Sequence, residues 1–359
     1  MTAIDDHRLA SLQVRQIATR YPRLIGRNAR LAEHGTGPIT AAVTVRTDQG
    51  AHGWGLLCGA IGPSHELIGR PLADLFDPAS GVLLEAALPL DLALHDLAGQ
   101  ILGLPVHALL GPTSAEQPPC YDGAIYLDDV EATEPAGLRT ILNNCAADYA
   151  AGFRSFKLKI GRGHRWMDRD PGIRRDIAVT RAVREAYPDA QLLIDANDGY
   201  EPADFLGYLD AVRDCDLFWI EEPFPESQAA LTALRDALGP AATLVADGET
   251  DPDLDRLLEL AAAGLLDVLL MDIVTFGLTA WRRLMPTLVE LGVAGSPHAW
   301  GVPLKTIYAG HVAAGLGNVA AVEGVPGVCV GVEPDHYRLR DGRLILPTGP
   351  GFGLTLTDE

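Results

Sequence analysis

Short apolar runs that close on a charged or polar residue recur through the second part of the chain, each separated from the next by an amphipathic stretch of helix length. From Pro118 onward the runs are CYDGAIYL, SFKLKI, QLLIDAN, DLFWIEEP, ATLVADGE, DVLLMDI, VAGSPHA and NVAAVEGV. Segments such as DIAVTRAVREAY, ADFLGYLDAVRD and WRRLMPTLVELG lie between them. Continuous apolar runs suit parallel strands buried on both faces, and their alternation with helices predicts an α/β barrel with the helices outside. The first part of the chain has another rhythm. ITAAVTVRT and AHGWGLL flank a turn at Gly50 and predict a β-hairpin. A long helical region is expected after Pro63: VLLEAALPLDLALHDLAGQILG puts Leu84, Leu88, Leu92 and Leu94 on a buried stripe and stops at Gly103 and Pro105. The Gly- and Pro-rich tail, ending RLRDGRLILPTGPGFGL, reads as turns and not as another βα unit. The expected division is an α+β domain over residues 1–117, a barrel over 118–326, and a C-terminal segment over 327–359 that packs back on the first domain.

Composition narrows the partners. The 359 residues are 48% hydrophobic and 21% charged, as in an ordinary globular protein, and carry a formal charge of −20. Nucleic acid and anionic membrane surfaces need a basic footprint, which no block of Lys or Arg supplies, so neither is an expected partner. Cys58, Cys120, Cys145, Cys215 and Cys329 form no C-x-x-C pair and read as free thiols of a reducing compartment. The start, MTAIDDHRLASLQ, has acids where a signal peptide needs a basic region, and no apolar stretch approaches the roughly 18 residues of a membrane span. A cytoplasmic location is the expectation.

The residues that close the strands carry the chemistry. Side chains at the C-terminal strand ends of a βα barrel point into its mouth. Asp195, Glu221 and Glu249 close three successive strands and offer hard oxygen ligands suited to Mg²⁺, with Mn²⁺ as an alternative. The competing reading, that each acid caps the helix behind it, has to hold three times over. Glu222 neighbours Glu221 and should face the other way, as support rather than ligand. Lys157 and Lys159 of FKLKI share a strand face; turned inward they should depress each other's pKa and make a general base, turned outward they would only be solvated. Asp272 and His298 close the next two strands, and the carboxylate can orient the imidazole. Glu323, on the last strand, is expected either to donate a hydrogen bond to a substrate carboxylate when protonated or to serve as a cap or ion-pair partner. Arg23, Arg27 and Arg30, in YPRLIGRNARLAEHG, bind an anionic substrate if that loop covers the pocket, and are otherwise solvated. The remaining histidines show no partner spacing.

With these residues assembled, the chain resembles the enolase superfamily, and within it the mandelate racemase subgroup, over nearly its whole length. The resemblance implies a (β/α)₇β modified TIM barrel under an N-terminal α+β capping domain. It implies Asp195, Glu221 and Glu249 as magnesium ligands, Lys159 of the K-x-K motif as the base on one face of the substrate, and the His298–Asp272 dyad on the other. Lys157 then neutralises a substrate carboxylate, Glu323 hydrogen bonds it, and Asn197 contacts an α-hydroxyl. The implied chemistry is abstraction of the proton α to a carboxylate through a metal-stabilised enediolate. A dehydratase of an aldonate or aldarate is one outcome; a racemase, epimerase or cycloisomerase of a 2-hydroxy acid or sugar-acid lactone is another; a noncatalytic binding barrel is a third. The partner is a small anionic carboxylate, and the family's habit implies a homodimer or octamer. Two departures concern the substrate: GWGLL stands where the family often has GWGE, and Thr275 and Phe276 stand where a lysine usually follows the sixth-strand acid. LLMDIVTFG also lacks the sixth-strand lysine of the muconate cycloisomerase and dipeptide epimerase branch.

Overall fold

The computed structural model describes residues 3–62, 66–111, 117–131, 136–334 and 336–357. Eight parallel strands form one sheet, in chain order Cys120–Ile125, Ser155–Lys159, Gln191–Asp195, Leu217–Glu221, Leu244–Asp247, Val268–Leu269, Ala294–Gly295 and Val322–Gly324. The last pairs with the first, and a parallel bridge between Gly295 and Val319 closes the ring. Among the described residues no helix is long and apolar enough to cross a membrane.

Alternation along the strands separates two cores. Leu158, Leu192, Ile194 and Ile220 pack outward in the layer shared with the surrounding helices, while Tyr121, Leu193, Trp219, Ala246, Leu270 and Ala321 form a separate cluster inside the ring. Because the side-chain period is two, Asp195 shares the inner face with Leu193, and Glu221 with Trp219. Register does the rest: Lys159 pairs with Asp195, and Asp195 with Glu221, so these groups lie side by side just above the apolar plug.

The N-terminal hairpin, Ile39–Thr47 with His52–Leu56, forms as its sequence predicts. A third strand, Leu9–Arg20, was not legible. A register shift between Leu9 and Ser11 breaks the parity of its apolar positions, and Val14 stays half exposed, so no clean alternation appears. The expected long helix is also shorter: Glu85–Leu90 is a 3₁₀ turn containing Pro89, and the α-helix runs only over Asp91–Leu102, stopping at Gly103 with φ 68°. This helix lies directly on the hairpin. A Cβ at Gly53 would come within 2.3 Å of the Leu97 amide nitrogen, so the glycines of HGWG are required by the helix they contact.

The tail holds cap and barrel together. Val328–Cys329 adds to the antiparallel sheet beside Leu9–Arg20, and Arg338–Arg340 with Arg343–Ile345 forms a hairpin at the entry of the first barrel strand, where the Cys120 N–H donates to Gly342 O at 2.8 Å. Asp96, buried in the cap helix, accepts from the Trp54 N–H of the hairpin (2.9 Å) and from the Phe352 N–H of the tail (2.8 Å). Asp91, on the same helix, accepts from the backbone and hydroxyl of Thr279 on a barrel helix, at 2.8 and 2.6 Å.

Within the barrel, Arg162 is fully buried and bridges Asp129 and Asp176, each at 2.6 Å, while also donating to Lys159 O at 3.3 Å. The loops after the first two strands are thereby tied to the helix Arg169–Ala186. Removing one partner of a buried pair strands the other charges, so Arg162→Met should cost about 3–5 kcal/mol in a denaturant titration; a loss within the range of a surface substitution would contradict this. Burial pushes the Asp96 carboxyl up to about 7, against the pull of its backbone donors. A folded pKa above the unfolded one means that the folded state holds the proton longer, so this group's contribution is complete at acid pH and is lost as pH rises through neutrality. Asp96→Asn cannot ionise, and its stability should therefore fall less than the wild type's between about pH 5 and 8; parallel curves would refute the assignment.

Candidate active site

At the C-terminal mouth, one oxygen from each of Asp195, Glu221 and Glu249 lies within 4.8 Å of the others. Among the described residues no other group of three acids, histidines or cysteines converges in this way. Asp195 and Glu221 end their strands, while Glu249 lies two residues beyond Asp247 and not at the strand end itself. Asp195 and Glu221 are fully buried, and Glu249 is partly open to the mouth. Glu221 Oε2 and Glu249 Oε2 are buried without a hydrogen-bond donor. Three hard carboxylate donors with orphaned oxygens fit a divalent cation, and the convergent set contains no thiolate or imidazole that would favour a softer metal. Glu222 turns away, as the strand period requires: its backbone takes φ 38°, and its carboxylate accepts from the Thr250 N–H (2.7 Å) and hydroxyl (2.9 Å).

Both lysines of the K-x-K motif point inward and are buried. Lys157 Nζ lies 2.8 Å from Glu221, 2.9 Å from Glu323 and 3.2 Å from Asp195. Lys159 Nζ donates to Asp195 and stands 4.0 Å from Glu249. The two ammonium groups do repel, as expected, but the net depression expected of the pair does not result. Burial lowers both, but the carboxylates around them outweigh burial and mutual repulsion, and both ammonium groups are held above their ordinary value. The same contacts act in reverse on the acids: burial raises Asp195, and Lys159 with Lys157 overcome it and hold the carboxyl low. Glu221 is pushed well up by burial and by Asp195. A dication on these three carboxylates relieves their repulsion and offsets the pull that keeps Lys159 protonated.

Across the mouth, His298 Nδ1 lies 3.1 Å from Asp272 Oδ2 and Nε2 lies 3.3 Å from Glu249 Oε1. Lys159 and His298 thus approach opposite oxygens of one ligand carboxylate. Burial lowers the imidazole pKa, but Glu249, Glu323 and the hydrogen bond to Asp272 raise it to about 10. Glu323 accepts from the Ala299 N–H at 2.8 Å, and Lys157 with His298 overcome burial to hold its carboxyl below the usual range, which favours the ion-pair alternative of the two expected for it. The Asn197 N–H donates to Asp195 Oδ1 at 3.0 Å, leaving the side-chain Oδ1 buried without a donor.

Four residues at the mouth had no legible signal. Lys305 Nζ donates to Asp272 Oδ2 at 2.6 Å, and the Thr275 N–H donates to Oδ1 at 3.0 Å. A cation from the helix Pro303–Leu316 therefore stands where the resemblance expected one just after Asp272. His34, Tyr126 and Trp300 form an aromatic roof, with Tyr126 4.7 Å from His34 and 4.8 Å from Trp300 between ring centroids, and the Lys159 ammonium 5.4 Å from the Tyr126 ring. The loop that brings His34 crosses the mouth: Leu127 N–H donates to Arg27 O (2.9 Å), Trp166 Nε1 to Asn28 O (2.6 Å), and the Tyr21 hydroxyl to Gly301 O (2.7 Å). Its arginines, candidate anion binders by sequence, face barrel acids instead: Arg23 pairs with Asp148, Arg27 with Glu131 and Arg30 with Asp198.

A capped, closed βα barrel with a carboxylate cluster, two inward lysines and a His–Asp pair at its mouth defines a class of enzyme before any comparison is made. Residues 141–359 match the family described as Enolase C-terminal domain-like. The chain is 29% identical over 358 residues to D-galactarolactone cycloisomerase of Agrobacterium fabrum, which covers 88% of this chain and 89% of that one. It is 32% identical to the crystal structure of a galacturonate dehydratase from Geobacillus sp. complexed with D-galacturonate and 5-keto-4-deoxy-D-galacturonate, with a TM-score of 0.92 over 98% of this chain and 95% of that one. A mutant of that dehydratase complexed with Mg superposes with a TM-score of 0.94 at 31% identity, over 99% and 95% of the two chains. The chain belongs to the enolase superfamily, in its mandelate racemase and muconate lactonizing enzyme family.

The donor set makes a direct prediction. In calorimetric titrations with Mg²⁺, Glu249→Gln should weaken binding by about 10-fold or more, and Glu222→Gln should weaken it less; equal losses would remove the distinction between the two.

Proposed function

We propose that this enzyme removes the proton α to the carboxylate of a sugar acid and expels the β-hydroxyl, so that a deoxy-keto acid is formed. The observation that carries the reading is the placement of Lys159 and His298 toward opposite oxygens of Glu249, which leaves a proton-transfer group on either side of a substrate lying over the carboxylate cluster. The dehydratase and cycloisomerase among its relatives, with the Mg bound in one of them, support the same chemistry.

Asp195, Glu221 and Glu249 would hold Mg²⁺, which when bound supplies the positive charge that acidifies the α-proton. Lys157, within 3.2 Å of three carboxylates, places a second positive charge where the substrate carboxylate becomes more negative in the transition state. Lys159, acting as the neutral amine, would take the α-proton as the C–H bond breaks and its electron pair passes into the enediolate. His298 gives a proton to the β-oxygen as its C–O bond breaks, which releases water and leaves an enol that tautomerises to the keto acid. Asp272 fixes the imidazole through Nδ1, and Lys305 keeps that carboxylate charged and oriented. Glu323 holds Lys157 in line, and the Asn197 side-chain oxygen, buried without a donor, would accept from a hydroxyl next to the carboxylate. Cytoplasmic location and assembly as a dimer or octamer belong to the same proposal.

A second outcome has support in the same geometry, because a base on each side also permits reprotonation from the opposite face, giving racemisation or epimerisation. The two separate cleanly in D₂O: dehydration yields a 2-keto acid, whereas epimerisation returns deuterated substrate without it. Under either outcome Lys159→Ala and His298→Asn should each lower turnover by about 10²-fold or more. Full activity in both variants would contradict these two roles, and no turnover of any acid sugar by the wild type would leave only a binding barrel.

A further inference from the structure

The roof over the mouth, directly above Lys159, is built from neutral groups. Tyr126, Trp300 and His34 pack ring against ring above Lys159, and Tyr21 stacks on Trp300 at 5.7 Å. His34 Nδ1 lies 2.9 Å from Gly26 O. A carbonyl can only accept, so Nδ1 carries the proton and Nε2 is left as an acceptor. Burial, with Lys159, lowers the His34 pKa against the Gly26 carbonyl and Glu249, which favours the neutral ring.

Among the described residues, the arginines of the covering loop and Lys305 already face acids: Arg23, Arg27 and Arg30 face Asp148, Glu131 and Asp198, and Lys305 faces Asp272. Among the described residues the covering loop brings no free cation to the mouth. A second carboxylate placed there would lose its water without gaining a counter-charge, on a protein whose formal charge is already −20. The C–H faces of a hydroxylated chain or ring, by contrast, suit aromatic plates, and a hydroxyl can donate to the His34 acceptor.

The geometry points to a neutral subsite under the roof formed by His34, Tyr126 and Trp300, which selects acid sugars bearing one carboxylate and an uncharged hydroxylated end over dicarboxylates of the same configuration. This rests on the sugar-acid reading above and narrows it. The discrimination comes from leaving a charge unpaired in the wrong substrate, and it should be large.

The test is a set of configurationally matched acids, an aldonate, a uronate and an aldarate, given to the wild-type enzyme with Mg²⁺. Binding is followed by thermal shift and calorimetry, and turnover by release of the α-proton to solvent. The monocarboxylates are expected to bind at least about 10-fold more tightly than the aldarate and to be processed correspondingly faster. In His34→Arg, which adds a cation to the roof, the preference should shrink, with the aldarate gaining at least about 5-fold relative to the monocarboxylate. An aldarate that binds as tightly as its monocarboxylate partners in the wild type, or no binding of any of them, overturns the inference. Proton release separates the two claims: a binding preference without exchange from any acid would sink the catalytic reading while upholding the subsite.

Discussion

Everything at the mouth of this barrel depends on one electrostatic arrangement: three carboxylates and two ammonium groups packed into a space that water barely reaches. Isolated, any of these charges would be costly to bury. Together they compensate one another only in part: Lys157 and Lys159 lie among Asp195, Glu221, Glu249 and Glu323, and burial with the repulsion of Asp195 still pushes the Glu221 carboxyl well up. That unrelieved repulsion is what a dication would offset, and the orphaned oxygens of Glu221 and Glu249 mark where it would sit. The apolar plug of Tyr121, Leu193 and Trp219 underneath gives the charges no alternative partners.

Rigid supports hold that arrangement in place from outside. Strand register lines up Lys159, Asp195 and Glu221, while Arg162 grips the carbonyl of Lys159 and the two acids beside it. On the far side, Asp272 is shared between His298 and Lys305, so the imidazole is steered by a carboxylate that is itself pinned. The cap joins through Asp91 and Asp96, and its loop sets Tyr21 and His34 against Trp300 and Tyr126 of the barrel.

Much of this was legible in the chain because the barrel repeats one rule: an apolar strand, then a polar residue that has only the mouth to face. That rule found the positions of Lys157, Lys159, Asp195, Glu221, Glu249, Asp272, His298 and Glu323. It could not find Lys305, which comes from a helix, or His34, which comes from a loop of the cap, because neither lies at a strand end and their spacing from the site follows no period. Sequence also misjudged protonation. Two lysines two residues apart repel, and only the three-dimensional contacts show that four carboxylates outweigh that repulsion. The strand Leu9–Arg20 was hidden for a different reason, a bulge that shifts its apolar positions out of phase.

The central claim is that the bond broken first is the one between hydrogen and the carbon next to the carboxylate. A sugar acid deuterated at that carbon, incubated with the wild-type enzyme and Mg²⁺, tests it most directly by following the label. The account predicts that the deuterium passes to solvent as product forms, since the carbon that carried it becomes the ketone. Product carrying the deuterium on the neighbouring β-carbon, as a direct hydride shift would leave it, would contradict it.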